Sequence, residues 1–360
     1  MSKIQSIFGV YADQLQVVIN ESLAMFAPTW YQNYFDWSPT QTQLNFVQVI
    51  GAARIEAAAS IVDRSSSSPL RSRAMLAKYQ GEIPAIKEKF SMTEQDYRDF
   101  LNIQALNFSN QDAQKQQLLN YLFGDIQKAG SAAHKRLDIM ALQAVSTGKI
   151  SLTVDWNPDG IILKDDLDLL MPGDNRKQAA FKWSDKADAT PIDDITKLVS
   201  DARLLGHEFA KILISPSAFL NMAHCNQTIT SLISFNALQK GASVATLDKV
   251  NEYLTANLFP QMEIVNQVVG IEKDGIIKSV RPFNDANITF VPAGKIGTIK
   301  NAYCMEELRP VSDVNYGSYN HALISKWQEN DPWGEFTNVE LNAFPAIDLI
   351  DRIYIMNVEF

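Results

Sequence analysis

The sequence predicts an α+β fold, helical in its first half and mixed in its second. Three observations carry this. Apolar residues recur at steps of three and four between Asp112 and Gly148. Short β-rich runs punctuated by Gly and Pro fill the last third of the chain. Strands and helices do not alternate as strand–helix–strand units, which argues against a doubly wound parallel sheet. At 360 residues, 46% hydrophobic and 20% charged, the composition is globular, with length for about two domains at ~150 residues each.

Taken in order, residues 10–26 carry helical spacing at Val10, Leu15, Val18, Ile19, Leu23 and Phe26. Five aromatics follow: Trp30, Tyr31, Tyr34, Phe35 and Trp37. Such a cluster either fills a core or anchors an arm onto another subunit. Residues 44–62 begin with strand alternation around Phe46 and then thin to small side chains; Ser65 to Ser68 and Pro69 make a polar tip. Residues 72–92 return as a second extended run, broken by Gly81 and Pro84. This long hairpin has too few large apolar residues for its own core, and an isolated hairpin is marginal in water. It needs something outside itself to lie on.

Thr93 with Asp96 resembles a capping box and opens a short helix to about Ile103. Leu119, Leu122, Ile126, Ala129, Ala133, Leu137, Met140 and Ala144 then mark one face of a helix over 112–147, some ~50 Å long at 1.5 Å per residue. Without a strict heptad, a coiled coil is the weaker reading. Gly124 and Gly130 each weaken this helix by up to ~1 kcal/mol relative to Ala, and Gly148 ends it. Residues 151–186 read as strands flanking a loop. Thr190 and Pro191 start a helix that Gly206 ends, 211–215 is a buried strand, and Pro216 and Leu247 open two more helices. The runs MEIVNQVV, GIIKSV, NITFVPAG and IGTIKNAYC are short strands, and the C-terminus ends on another.

Charge is unevenly placed. With 32 Lys and Arg against 41 Asp and Glu the chain is at −9, which argues against wrapping DNA by bulk attraction. Between residues 50 and 90, however, Arg54, Arg64, Arg71, Arg73, Lys78, Lys87 and Lys89 outnumber Glu56, Asp63, Glu82 and Glu88, so that segment is +3 and the remainder −12. Opposite signs on one chain suit self-association; a plain solvated loop is the alternative. The first residues carry no apolar run of a secretory signal, and no run of ~18 uncharged apolar residues predicts a membrane span. Two scattered cysteines, Cys225 and Cys304, give neither a disulfide framework nor metal spacing, as in a reducing compartment.

Catalytic chemistry is hard to find. His224 and Cys225 are adjacent, but sequence neighbours rarely converge as nucleophile and base. Asp165, Asp166 and Asp168 lack the spacing and glycine of a calcium loop. No phosphate-cradling or dinucleotide-binding glycine motif occurs. The Asn226 glycosylation tripeptide has no secretory route to use. No catalytic, metal or cofactor-binding residue is assigned, no cofactor is expected, and the chain reads as a structural protein rather than an enzyme.

The order of arm, basic hairpin, short helix, long helix, mixed domain and closing strand resembles the major capsid proteins of tailed bacteriophages, the Hong Kong 97 fold. The likeness rests on GEIPAIKEKFSMTEQD (81–96), KILISPSAF (211–219), GTIKNAYCMEEL (297–308), SKWQENDPWGEF (325–336) and LNAFPAIDLIDRIYIMNVEF (341–360). It implies an N-terminal arm at 1–45, an extended β-hairpin loop at 46–92, and a peripheral domain at 93–189 with its spine helix at 112–147. An axial domain would cover 190–335, and 336–360 would return to the peripheral domain. It implies self-assembly into hexamers and pentamers of an icosahedral shell enclosing double-stranded DNA, with weak non-specific contact to that DNA.

Portal and scaffolding proteins and a decoration protein are the implied partners, with no membrane. The scaffold is expected to be a separate protein, since the loop begins too early for a long pro-segment. The implied place is the virion, after assembly in the host bacterial cytoplasm. Candidate contacts between copies are Arg54, Arg64, Arg71, Arg73, Lys78 and Lys87 on the hairpin, and Trp30, Tyr31, Tyr34, Phe35 and Trp37 at its foot. Two rivals stand beside this reading. An encapsulin-like compartment protein would hold a cargo enzyme, and a cytoplasmic enzyme with an unrecognised site would elute as a small oligomer.

Overall fold

The computed structural model describes residues 29–50, 77–105, 111–235, 241, 243–331 and 333–360. The helix expected over 10–26, the serine tip, and Arg54, Arg64, Arg71 and Arg73 lie outside the described residues.

Helix α1 (Glu94–Ala105) starts where the capping pattern placed it. Thr93 donates both its N–H and its hydroxyl to Asp96 Oδ2, at 2.8 and 2.7 Å. Helix α2 (Gln111–Thr147) matches the long periodic segment to within one residue. Ile126, Ala129, Ala133, Leu137, Met140 and Ala144 are buried along its expected stripe, and Ala141, Leu142 and Val145 are buried too, so its last turns are enclosed on several sides. The last carbonyls of a helix have no partner within it. Here Thr289 Oγ1 donates to the Val145 carbonyl at 3.2 Å and Asn287 Nδ2 to that of Ser146 at 2.8 Å. Gly148, at φ +70°, closes the turn onto Ala144.

The first strands are β1 (Phe35–Trp37), β2 (Asn45–Ile50), β3 (Ala77–Glu82), β4 (Ala85–Thr93), β5 (Lys149–Ile150), β6 (Leu167–Asp168) and β7 (Arg176–Gln178). Helix α3 (Pro191–Leu204), β8 (Lys211–Ile214), and helices α4 (Pro216–Ala223), α5 (Asn226–Ser234) and α6 (Leu247–Ala256) follow. Then come β9 (Gln261–Ile264), β10 (Val269–Lys273), β11 (Ile276–Val280), β12 (Asn287–Val291), β13 (Gly297–Ala302) and the short α7 (Met305–Leu308). The chain closes with β14 (Asn315–Tyr319), β15 (Ala322–Asn330), β16 (Trp333–Ala346) and β17 (Tyr354–Asn357).

Two sheets organise the molecule. The first runs β1-β13-β16-β15-β14, with β4 also on β16. Strand β16 is its axis. One edge pairs with β15 from Trp333 to Glu340 and then with β13 from Asn342 to Ala346, so β15 and β13 lie end to end; the other edge pairs with β4 from Gly334 to Asn342. Ile324, Val339, Leu341 and Ala343 share one core with Leu137, Met140 and Ala144 of α2. The second sheet runs β7-β17-β12-β8-β9. Its core joins Ile212, Phe290 and Met356 to Ile195 of α3, Met222 of α4, Leu232 of α5 and Val250 of α6. The pairs β2–β3, β5–β6 and β10–β11 stand as separate two-stranded pieces.

Three expectations are corrected. The hairpin was expected to extend to residue 92, but β4 is a strand of the first sheet, paired over nine positions with β16. Gly81 and Pro84 therefore mark the change from one sheet to another. The boundaries at 190–335 and 336–360 also shift: β13 to β16 build the first sheet with α2, whereas β17 enters the second. Residues 151–166 form turns rather than strands, because Asn157 closes the loop on itself by donating from Nδ2 to the Ile161 carbonyl at 2.9 Å. Helix α5 was not anticipated.

Candidate assembly interface

The ribbon β2–β3 leaves the body at a defined root. Its register runs from Asn45↔Glu82 to Ile50↔Ala77. At the root Phe46 is buried with its ring 5.4 Å from Phe344, and buried Ile83 donates its N–H to the Leu44 carbonyl at 2.8 Å. One step further out, Val47 is 57% exposed. A ribbon rooted by two apolar side chains and otherwise unsupported by another described strand is the geometry expected of a segment completed elsewhere. Lys78 lies on β3 opposite Val49.

Strand β4 continues the excursion back across the body. Lys87 lies 2.7 Å from Glu340 Oε2, which raises the lysine's pKa chiefly through that hydrogen bond. The ammonium remains half exposed, so the pair contributes at most about 1 kcal/mol. Lys89 sits 3.9 Å from the centroid of Phe336 and 5.1 Å from that of Trp327, whose rings stack at 5.6 Å. Among the described residues the outer edge of β4 pairs with no strand. Lys87 was expected to meet another copy; in the structure its partner is Glu340 of the same chain, brought opposite it by the β4–β16 register.

Of the five aromatics, four fill this chain's own core, the first of the two roles open to them. Trp30, Tyr31, Tyr34 and Phe35 are buried in the first core and leave little surface for a second copy. Tyr31 donates its N–H to Asp138 at 2.8 Å, and its hydroxyl is 2.9 Å from His134 Nδ1. The hydroxyl of Tyr34 donates to Glu263 at 3.1 Å, which ties this segment to the second sheet. Partly buried Trp37 stacks on His321 at 4.3 Å. Their role is to fasten the foot of the arm to both sheets. Gly297 permits this closeness: a Cβ there would meet the Ala346 carbonyl at 2.2 Å and Phe35 at 2.8 Å.

Of the residues weighed for chemistry, Cys225 and Asp168 make structural contacts. The Cys225 thiol donates to the Asn221 carbonyl, and burial pushes its pKa up to about 11; burial likewise pushes Cys304 to about 12. Both are protonated and inert at neutral pH. Asp168 lies 3.8 Å from both Lys149 and Arg176 and accepts the Leu170 N–H. Among the described residues no three His, Cys, Asp or Glu gather as metal ligands, and no helix is long and apolar enough to cross a membrane. Sequence reasoning missed the Lys89–Trp327–Phe336 stack, which depends on cross-strand register. It also missed the β10–β11 hairpin, although Asp274-Gly275 between two apolar runs is a strong hairpin signal.

Solved structures share this architecture. A protein of an E. coli CFT073 prophage, assigned as its capsid protein, superposes with a TM-score of 0.58 at 13% identity, over 96% of this chain and 98% of that one. A phage-related protein of Bordetella bronchiseptica RB50 does so with a TM-score of 0.52 at 10% identity, over 95% and 96%. No curated protein matches the chain by sequence. A long helix under one sheet, a second sheet backed by short helices and a protruding ribbon are the Hong Kong 97-like fold of capsid shell subunits. Residues 19–358 match the model of phage major capsid protein E, and the chain belongs to that family. It is a non-enzymatic, self-assembling structural protein of the virion.

Proposed function

We propose that this chain is the head subunit of a tailed bacteriophage, forming the hexamers and pentamers of an icosahedral shell around double-stranded DNA. The observation that carries this is the β2–β3 ribbon: it is rooted by Phe46 and Ile83, then leaves the body without a third described strand. A neighbouring copy supplies the missing surface, and the basic segment at +3 docks on bodies whose remaining charge is −12. Weak contacts repeated under closed symmetry sum to a stable shell. The acidic body also suits a wall from which packaged DNA must later leave, since strong phosphate contacts would hold it back. Assembly takes place in the host cytoplasm, with a portal protein and a separate scaffolding protein as further partners.

Negative-stain microscopy of the concentrated, purified chain tests this. Rings of five- and six-fold symmetry or closed shells are expected. A chain that stays monomeric at every concentration overturns the proposal.

A further inference from the structure

No further inference is drawn: the strongest candidate, the surface patch of exposed Leu204, Leu205 and Leu258 where Arg203 joins the end of α3 to the turn after α6 by donating to the Leu258 carbonyl, carries none because nothing in the structure shows what covers it.

Discussion

Tyr31 ties the start of the described chain to α2 through two groups that titrate in opposite senses. Its hydroxyl meets His134, and its N–H is accepted by Asp138. Burial lowers the His134 pKa to about 4, against the opposing hydrogen bond with the Tyr319 carbonyl. Burial raises Asp138 to about 6, although the backbone N–H groups of Tyr31 and Trp30 favour its ionised form. The unfolded chain binds the histidine proton more readily, so stability from His134 is lost as pH falls from about 6.5 toward 4. The folded chain binds the Asp138 proton more readily, so stability from that group is gained as pH falls from about 6 toward 4. The two largely cancel. Asp138→Asn removes only the compensating group, and the variant should lose about 2 kcal/mol more than wild type between pH 7 and 4.5 in urea unfolding. Parallel pH profiles would show that Asp138 does not take up its proton in this window.

Elements were legible where their signals are local. Helix α2 was read to within a residue because its apolar period and Gly148 stop lie in one segment, and α1 because Thr93 and Asp96 are three residues apart. The same locality gives a prediction. Gly124 lies within α2, and no atom sits within 4 Å of where its Cβ would go. Gly124→Ala should therefore stabilise the chain by about 0.5–1 kcal/mol, seen as a higher Tm. A lower Tm would mean that the helix needs its glycine there. Strand pairing was far less legible. The alternation in residues 161–169 resembles a strand, yet only Leu167–Asp168 pair, because a turn at Asn157–Gly160 consumes the neighbouring backbone groups. Nothing near β4 announces that its partner is β16, well over two hundred residues away.

For the whole molecule the decisive property is charge set against shape. The ribbon and its extension carry excess base while the body carries excess acid. Arg71→Glu with Arg73→Glu should abolish particle formation and leave the monomer's melting curve unchanged; wild-type-like particles would contradict docking by charge. Assembly should likewise weaken in 1 M salt, where the screening length falls from ~10 Å at 0.1 M to ~3 Å. The sequence by itself determined the α+β class, the long helix with its cap and stop, the ribbon's lack of a core and the charge asymmetry, because each depends on composition or on residues a few positions apart. Only the tertiary structure decided that the aromatics at 30–37 fasten the arm to its own body, that Lys87 meets Glu340, and that Ile276 and Ile277 face water. Those outcomes depend on registers between strands far apart in the chain, and a one-residue slip would turn every side chain to the opposite face.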